Sequence, residues 1–263
     1  MRTLLLAILL FSGSLAHAAE DCPGIISQSP YITHTLEWMG LKHCIIGTSR
    51  YEDLGLPQTG GVLDPDAEAI ALLKPEIILS SDWISEQQAQ AIRPAGSRIY
   101  RLHGFQSMRQ IEDNLTTIAL AVGLATPQRQ AERFHRQLQE KLAQIHAQGR
   151  RVLLLSACSG KPYSFGRSTW LYELFSQAGF QVVESEEKIR NIDPSKLDSL
   201  IDELLPQIVF IFERSAAQQC RMITPKTPVQ IIALDGDTLL QPAPILLKGL
   251  DELIATQASW NEI

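Results

Sequence analysis

Residues 25–79, IISQSPYITHTLEWMGLKHCIIGTSRYEDLGLPQTGGVLDPDAEAIALLKPEIIL, contain two strand–helix–strand crossings in succession. Apolar runs open the segment (IIS), return in its middle (CIIGTS) and close it (EIIL), with helical patterns between them. Strands connected in this way lie parallel, and the loops that follow them meet at one edge of the sheet, where ligands bind. The segment therefore predicts an α/β fold with a ligand site at that edge.

Local signals place the helix starts and the remaining strands. Ser29 and Asp64 are each followed by a proline, the arrangement of an N-cap with proline at the first helical position. Helices are therefore predicted to begin at Pro30 and Pro65. Short runs rich in Ile, Val and Leu indicate parallel sheets that helices cover on both faces. The other predicted strands are 77–79, 99–102, 152–155, 181–183, 208–212 and 229–234.

Residues 1–18 have the features of a secretory signal peptide. Arg2 precedes the apolar run LLLAILLF, and AHA at 16–18 supplies a small-residue cleavage site. The apolar run is far shorter than the ~20 residues that a bilayer requires. A lipoprotein is not favoured, because AED before Cys22 is not a small-residue box. We expect cleavage near Ala18 and an exported mature chain.

The net charge restricts the class of partner. Without Arg2 the chain carries 22 basic and 29 acidic residues, a net charge near −7. A negative chain has no general attraction to nucleic acid or to anionic lipid. Neither is expected as the main partner.

Four cysteines follow the signal segment, and an even number in an exported chain favours disulfides. Cys22 lies just before the first predicted strand, and Cys44 opens the second. Neighbouring strands run ~4.8 Å apart, within disulfide reach. We expect a Cys22–Cys44 bond and a second bond between Cys158 and Cys220. The alternative, a metal site, lacks any C-x-x-C or H-x-x-H spacing.

The organisation of the chain changes at residue 126. The segment 126–149 begins with Thr126 and Pro127 and contains no glycine before Gly149. A helix of this length is a rod of ~30 Å. It is either an ordinary core helix or a rigid linker between an N-terminal α/β lobe, 19–125, and a C-terminal α/β lobe, 150–263. Its single apolar stripe consists of Ala131, Phe134, Leu138, Leu142 and Ile145.

A weak internal repeat favours the linker. The segments AIALLKPEIILSSDW at 69–83 and SLIDELLPQIVFIFERS at 199–215 both consist of a helix, a leucine, a proline and a buried strand. Pro75 and Pro206 occupy matching positions. Two lobes of similar plan, joined by one helix, would face each other across a cleft rimmed by the loops after each strand.

The motifs of the first half are shared with a known family. They are Ser29, Pro30, Gly40, Gly47, Tyr51, Gly61, DAEAI at 66–70 and LKPEII at 73–78. In this pattern the chain resembles the periplasmic binding proteins of ABC importers for vitamin B12, ferric siderophores and haem. The likeness continues through 163–179 and 234–250, although PAPI at 242–245 lacks the glycine and arginine often found there. It implies two lobes bridged by one long helix, and a monomer that carries a small-molecule ligand.

The resemblance also implies ligand contacts in the loop after each strand. Aromatic side chains give a cleft large, rigid contact area, which suits a flat macrocyclic ligand. Phe105 and Trp170 are equally consistent with packing inside their lobes. The implied contacts are Tyr31, Tyr51 with its neighbours Glu52 and Asp53, Asp82, Trp83, His103, Phe105, Tyr163, Phe165, Arg167, Trp170, Glu213, Arg214 and Asp237.

Delivery to an inner-membrane permease with its ATPase is a further implication. In the family, one acidic residue on each lobe engages permease arginines. Glu68 falls at the first-lobe position, where the helix dipole also favours a carboxylate, so simple capping is the alternative role. In the second lobe the expected position falls near Ser199, and Asp198 or Asp202 would substitute.

The implied cargo is a metal chelate, and no resident metal or cofactor is expected. Anionic ferric siderophores usually attract several arginines, whereas only Arg167 and Arg214 fall near the cleft. We therefore favour a corrinoid such as cobalamin. A ferric siderophore or haem is the alternative, with Tyr51 or His103 as an axial haem ligand.

Two other classes of function are less favoured. A receptor for a bare metal ion needs three or four His and carboxylate ligands, and only His34 and His103 are placed to serve. An enzyme could use Cys158 as a nucleophile, but a cysteine outside the cytoplasm is expected to be oxidised. The chain also lacks G-x-S-x-G, P-loop and G-x-G-x-x-G motifs. We expect binding without chemistry.

Overall fold

The computed structural model describes residues 22–156, 161–213 and 225–260, with the backbone alone of Glu213. The predicted signal segment 1–18, Cys158, Cys220 and Arg214 lie outside the described residues, as does the side chain of Glu213. The chain is divided between two sheets flanked by helices, so the predicted α/β class is confirmed. We call the part built on the first sheet the first lobe, and the part built on the second sheet the second lobe.

Four strands form the sheet of the first lobe: β1 (Ile25–Ser27), β2 (Ile45–Thr48), β3 (Ile77–Ser81) and β4 (Arg98–Leu102). All are parallel, in the order β2-β1-β3-β4. The central strands β1 and β3 are buried along their whole length, as their uninterrupted apolar runs predict. The helices of this lobe are α1 (Pro30–Trp38), α2 (Ala67–Leu73) and α3 (Glu86–Ala91).

The second sheet repeats this plan with an addition. Its strands are β5 (Arg151–Ser156), β6 (Tyr163–Ser164), β7 (Gln181–Val182), β8 (Arg190–Asn191), β9 (Ile208–Glu213) and β10 (Gln230–Asp235). The parallel series β7-β5-β9-β10 has the same order as β2-β1-β3-β4. The sheet is mixed rather than purely parallel, because β6 is antiparallel to both β5 and β8. Neither β6 nor β8 has an apolar run that would predict it.

The remaining helices follow β4 or belong to the second lobe. They are α4 (Arg109–Ala121), α5 (Gln128–Leu142), α6 (Trp170–Gln177), α7 (Leu197–Leu204), α8 (Gly236–Leu239), α9 (Leu246–Ala255) and α10 (Gln257–Trp260), with short 3-10 helices at Lys42–Cys44 and Pro194–Lys196. Within the described residues, no helix combines the length and the apolar character that crossing a bilayer requires.

The two proline-marked helix starts differ in outcome. Helix α1 begins at Pro30 after an extended Ser29, as predicted. The predicted start at Pro65 is wrong, because Asp66 is the N-cap of α2 and its carboxylate accepts hydrogen bonds from two backbone N–H groups of the first turn. These groups have no partner inside the helix, so the cap fixes where α2 begins.

The predicted internal repeat is present as a matched backbone conformation. Helix α2 is followed by Lys74 and α7 by Leu205, and both residues are left-handed, with φ of 49° and 47°. Pro75 or Pro206 comes next, and then β3 or β9. A left-handed residue at a helix end normally favours glycine. The same left-handed conformation at Lys74 and at Leu205, neither of which is glycine, is therefore a specific structural similarity between the lobes.

Helices α4 and α5 connect the lobes. On α4, Leu115 packs in the hydrophobic core of the second lobe, and Ile118, one turn later, packs in that of the first. On α5, Phe134 and Leu138 join the second-lobe core. Trp38 of α1 packs edge-on against Phe134 with ring centroids 6.2 Å apart. Both helices therefore contact both lobes.

Helix α5 is shorter than the segment 126–149 predicts. It ends at Leu142, and the side chain of Gln257 then hydrogen-bonds the chain, donating to the Gln144 carbonyl at 2.9 Å and accepting from the His146 N–H at 2.8 Å. Because Gln257 supplies hydrogen-bond partners to these backbone groups, they do not depend on a continued helix. The division of the chain at 126 and 149 stays a prediction.

The segment after α8 enters the core of the first lobe. Ala243 is fully buried in the same hydrophobic cluster as Ile25 and Tyr31. Beside it, Pro242 lies so close to Gly104 that a methyl group at Gly104 would come within 2.9 Å of the proline Cγ. The two lobes are thus in direct contact through this segment.

Cys22 and Cys44 form a disulfide, with their Cα atoms 5.7 Å apart, so the predicted pairing is confirmed. Cys44 ends the 3-10 helix directly before β2, and Cys22 lies shortly before β1. The bond therefore ties together the entries to two neighbouring strands.

Candidate functional site

A cleft of about 660 Å³ is lined by both lobes. Its first-lobe wall comes from the start of α1 and from the loops that follow β2, β3 and β4, which is the sheet edge where ligands bind in parallel folds. Its second-lobe wall comes from α8 and the residues after it. The lining includes Pro30, Thr33, His34, Glu37, Tyr51, Glu52, Asp53, Trp83, Phe105, Asp237, Leu240 and Gln241.

Aromatic side chains form a row from the cleft into the second lobe. Tyr51 and Trp83 line the cleft with 63% and 53% of their surface exposed. The Trp83 ring lies 4.7 Å from Phe105, and Phe105 lies 5.2 Å from Trp170 of the second lobe. Exposed aromatic faces give rigid contact area at low entropic cost. The first lobe thus presents flat apolar surface that rests on the second.

Three aromatic residues that the sequence assigns to ligand contact lie in the core instead. Tyr31, Phe165 and Trp170 are at most 2% exposed, and none lines the cleft. The Tyr31 hydroxyl donates to the Leu102 carbonyl at 2.8 Å, and burial raises the pKa of Tyr31. Tyr31 and Trp170 both meet Phe105 edge-on. Their role here is to hold a cleft residue in place.

Of four described polar residues that the sequence assigns to ligand contact, Asp82, His103, Arg167 and Asp237, only one lines the cleft. Asp237 lines the cleft, whereas Asp82, His103 and Arg167 do not. His103 Nδ1 lies 2.6 Å from Asp82, and Arg167 lies 2.9 Å from Glu187. Each of these three side chains therefore already has a partner, and the exposed Arg167–Glu187 ion pair contributes only about 0–1 kcal/mol.

Glu52 is a half-buried carboxylate in the cleft wall. Its two oxygens accept hydrogen bonds from the hydroxyls of Thr33 on α1 and Ser49 after β2. Burial raises the pKa of Glu52, and these two hydroxyls oppose the shift. The carboxylate is fixed in place by two separate elements of the first lobe.

One face of α1 lines the cleft, including Thr33 and Glu37, which no motif predicts. Pro30, Thr33, His34 and Glu37 recur at spacings of three and four, so they share a helix face. This spacing in the sequence could have identified Thr33 and Glu37 as cleft residues. Lys42 pairs with Glu37 at 2.7 Å. Burial lowers the pKa of His34, which favours its neutral form at neutral pH.

The charged groups of the cleft lining are acidic. Glu37, Glu52, Asp53 and Asp237 line it, and among the described lining residues there is neither Lys nor Arg. Electrostatic complementarity disfavours partners of like charge. The cleft therefore suits a ligand that brings N–H donors or positive charge.

The three acidic residues assigned to docking differ in their surroundings. Glu68 is exposed in the first turn of α2, and Asp66 already supplies the N-cap, so capping does not require Glu68. Asp202 accepts a hydrogen bond from the Thr227 N–H at 2.8 Å, which lowers the pKa of Asp202. Asp198 is half-buried in the first turn of α7. Glu68 is the most available of the three.

A candidate metal cluster can be tested on its chemistry. Within the described residues, the group of three possible ligands whose atoms lie within 4.8 Å of one another is Cys22, His43 and Cys44. Two of these sulfurs are joined in the disulfide, and metals bind the thiolate rather than the disulfide. The group does not fit a metal ion.

Comparison with known proteins gives a family match and several similar folds. A family model described as "Periplasmic binding protein" matches residues 32–219. No curated protein sequence matches the chain.

Three solved structures illustrate the likeness in fold. The vitamin B12 binding protein BtuF of Vibrio cholerae is 21% identical, with a TM-score of 0.72, over 92% of this chain and 99% of its own. The haem-binding protein RhuT from Roseiflexus sp. RS-1 is 18% identical, with a TM-score of 0.71, over 90% and 98%. The haem-binding protein HutB of Vibrio cholerae is 16% identical, with a TM-score of 0.73, over 88% and 97%. At these identities the likeness concerns the fold, which is two-lobed.

Proposed function

We propose that this chain, which belongs to the periplasmic binding protein family, captures a corrinoid of the cobalamin type in its cleft and delivers it to an inner-membrane ABC permease with its ATPase. The family and its structural neighbours are binding proteins, and the proposal is accordingly binding without chemistry in the periplasm. Among the neighbours are a vitamin B12 binder and haem binders.

The observation that carries the proposal is the pairing of exposed aromatic faces with an acidic lining. Tyr51 and the stacked pair Trp83 and Phe105 offer flat apolar surface to a planar macrocycle. A corrin ring has amide groups along its edge, whereas haem has carboxylates and many ferric siderophores are anionic. Carboxylates such as Glu52 and Asp53 repel the last two classes and accept hydrogen bonds from the first.

Calorimetric titration with a ligand panel tests the proposal. Cyanocobalamin, dicyanocobinamide, haem and an anionic ferric siderophore are each titrated into the purified protein. We expect both corrinoids to bind and the two anionic ligands to bind more weakly or not at all. The absence of heat with either corrinoid would contradict the proposal.

Trp83 provides a test of the aromatic contribution. Trp83→Ala removes an exposed face from the cleft, and an aromatic contact contributes about 0.5–1.5 kcal/mol beyond its buried area. We expect corrinoid affinity to fall about 10-fold, which corresponds to about 1.4 kcal/mol. Leu72→Ala is the control, because Leu72 is exposed on α2 and does not line the cleft. Equal affinities of the two variants would remove Trp83 from the site.

Haem is retained as the second candidate because of Tyr51. An exposed phenol at the cleft is a possible axial ligand for ferric haem. In that case haem would bind with a tyrosinate-type absorption spectrum, and Tyr51→Phe would abolish the spectrum. A spectrum that is identical in both proteins would exclude Tyr51 as the ligand.

For delivery, we propose that Glu68 contacts a basic residue of the permease, with Asp198 or Asp202 in the corresponding place on the second lobe. In vesicles that contain the permease and its ATPase, Glu68→Arg should abolish stimulation of ATP hydrolysis by the loaded protein, with ligand affinity unchanged. Glu140→Arg is the control, since Glu140 is exposed on α5. Equal stimulation by both variants would exclude Glu68 from docking.

We propose that the lobes close only slightly on the ligand. Helices α4 and α5 and the buried Ala243 join the lobes through packed apolar contacts, which resist large hinge motion. Small-angle scattering with and without cyanocobalamin should give nearly the same radius of gyration. A decrease of several ångström would contradict this expectation.

A further inference from the structure

We infer that Glu52 is the specificity-determining carboxylate of the cleft: it accepts hydrogen bonds from amide N–H groups at the edge of the ligand and rejects ligands whose edge carries carboxylates. The inference rests on the proposed function and adds to it the chemical feature by which the cargo is recognised. Glu52 differs from the other acidic residues of the lining in the way that it is held.

Two elements fix the Glu52 side chain. Thr33 donates to Oε1 from α1, and Ser49 donates to Oε2 from the loop after β2. The Glu52 N–H also donates to the Ser49 carbonyl at 3.3 Å. A recognition group is effective when its supporting contacts lock its orientation before the ligand arrives. Glu52 meets this requirement within the first lobe alone.

The hydroxyl network favours Glu52 as an acceptor. Thr33 Oγ1 lies 2.7 Å from Ser27 Oγ as well as against Glu52. One hydroxyl has one proton, and an ionised carboxylate is a stronger acceptor than a hydroxyl, so the Thr33 proton goes to Glu52, while Ser27 can donate to Thr33 or to the Ser29 carbonyl 3.4 Å away. An ionised carboxylate offers about four acceptor positions, and Thr33 and Ser49 occupy one on each oxygen. The remaining positions are available to a ligand in the cleft that Glu52 lines.

Burial makes the ionised form of Glu52 less favourable than it is in water. Burial raises its pKa, and the negative charge of Glu37 acts in the same direction. The other titratable groups of the cleft lining are His34 on α1, Tyr51 and Asp53 beside Glu52, and Asp237 on α8. Of these, only His34 could bring a positive charge, and burial lowers its pKa. A ligand N–H donor therefore satisfies a carboxylate that its surroundings leave poorly compensated.

Glu52→Gln tests the inference, because it preserves the shape of the side chain while removing its charge. Wild type, Glu52→Gln, Asp53→Asn and Glu140→Gln are titrated with cyanocobalamin, dicyanocobinamide and haem. We expect Glu52→Gln to lose about 10-fold or more in corrinoid affinity, as for a hydrogen bond to a charged group, and to gain affinity for haem. Asp53→Asn removes the same charge from the exposed rim and should lose less. Glu140→Gln, outside the cleft, should match wild type.

Two further measurements separate recognition from a structural role. The corrinoid affinity of wild type should fall as pH is lowered through the raised pKa of Glu52, and that of Glu52→Gln should not. An acidic group whose pKa is higher in the folded than in the unfolded protein makes the folded protein less stable as the pH rises above the unfolded-state pKa. Glu52→Gln should therefore be at least as stable as wild type at neutral pH, whereas a merely structural role would make it less stable.

The outcomes distinguish this inference from the proposed function. Corrinoid binding that Glu52→Gln leaves within about twofold of wild type, or that Asp53→Asn weakens equally, overturns the role of Glu52 alone. If wild type binds only haem and Glu52→Gln binds it more tightly, the corrinoid proposal fails and the rejection of carboxylates by Glu52 stands. If wild type binds only haem and Glu52→Gln binds it no better, or if wild type binds nothing in the panel, both are overturned.

Discussion

In the first lobe, loops after the strands carry Tyr51 and Trp83 to the cleft with much of their surface exposed, whereas the second lobe buries Phe165 and Trp170 in its core. The parallel strands behind these loops have the same order in both sheets, although the second sheet also contains β6 and β8. A shared strand order therefore does not mean that the two lobes contribute equally to the cleft. The first lobe presents most of the cleft side chains, and the second supports them and contributes α8 and the residues that follow it.

The lobes also differ in what secures their loops, and the largest expected effect concerns the second. Glu184 is fully buried, lies 2.9 Å from Arg190, and accepts from the Ser185 and Glu186 N–H groups at 2.8 and 3.0 Å. Arg190 would keep Glu186 as a partner, but the two N–H groups would lose their acceptor, at about 1–3 kcal/mol for each unsatisfied buried donor and so about 3–5 kcal/mol in all. Glu184→Ala should lose this much in urea unfolding. Glu187→Ala, an exposed neighbour, is the control, and an equal loss in both would show that Glu184 has no special role.

In the first lobe the corresponding constraint is covalent, and the expected effect is somewhat smaller. The Cys22–Cys44 bond closes a loop with a sequence separation of 22, and bonds of this kind contribute about 2–4 kcal/mol. Replacing both cysteines by alanine should lower stability by this amount, with faster hydrogen exchange in β1 and β2. An unchanged urea midpoint would mean that the bond adds nothing to the sheet.

The smallest expected effect tests the likeness of the lobes directly. Lys74 and Leu205 are left-handed at matching helix ends, a conformation that is strained for residues with a Cβ and free for glycine. Lys74→Gly and Leu205→Gly should each raise stability by about 0.5–1 kcal/mol. Leu72→Gly, inside α2, should lower it by about 1 kcal/mol. If one of the two variants Lys74→Gly and Leu205→Gly were more stable than wild type and the other less stable, the two helix ends would not be equivalent.

Backbone organisation was predictable where a local signal and the tertiary structure agree. Buried parallel strands read as continuous apolar runs, which is why β3, β5 and β9 fall on the predicted segments. The start of α2 was not predictable in this way, because Asp64 and Asp66 are both suitable caps. The choice depends on the fold of the preceding loop, in which the Asp66 N–H donates to the Thr59 carbonyl at 3.0 Å.

The direction of side chains at strand ends was less predictable. A loop position shows that a residue is near the sheet edge, but whether it faces the cleft depends on its neighbours from other elements. Tyr31 turns inward because the Leu102 carbonyl accepts its hydroxyl. The end of α5 depends likewise on Gln257, which comes more than a hundred residues later. Such partners cannot be paired from one sequence by spacing alone.

Ala243 lies near the end of the chain and yet completes a hydrophobic core that begins at Ile25. N-terminal segments usually fold first during synthesis. Here all four strands of the first lobe are made by residue 102, but the cluster that covers them lacks a buried member until residue 243 has been added. The strands of the first lobe therefore come early in the sequence, but the hydrophobic core of that lobe is complete only when Ala243 has been added. A chain truncated before Ala243 should contain every strand of that lobe and lack one buried residue of its core.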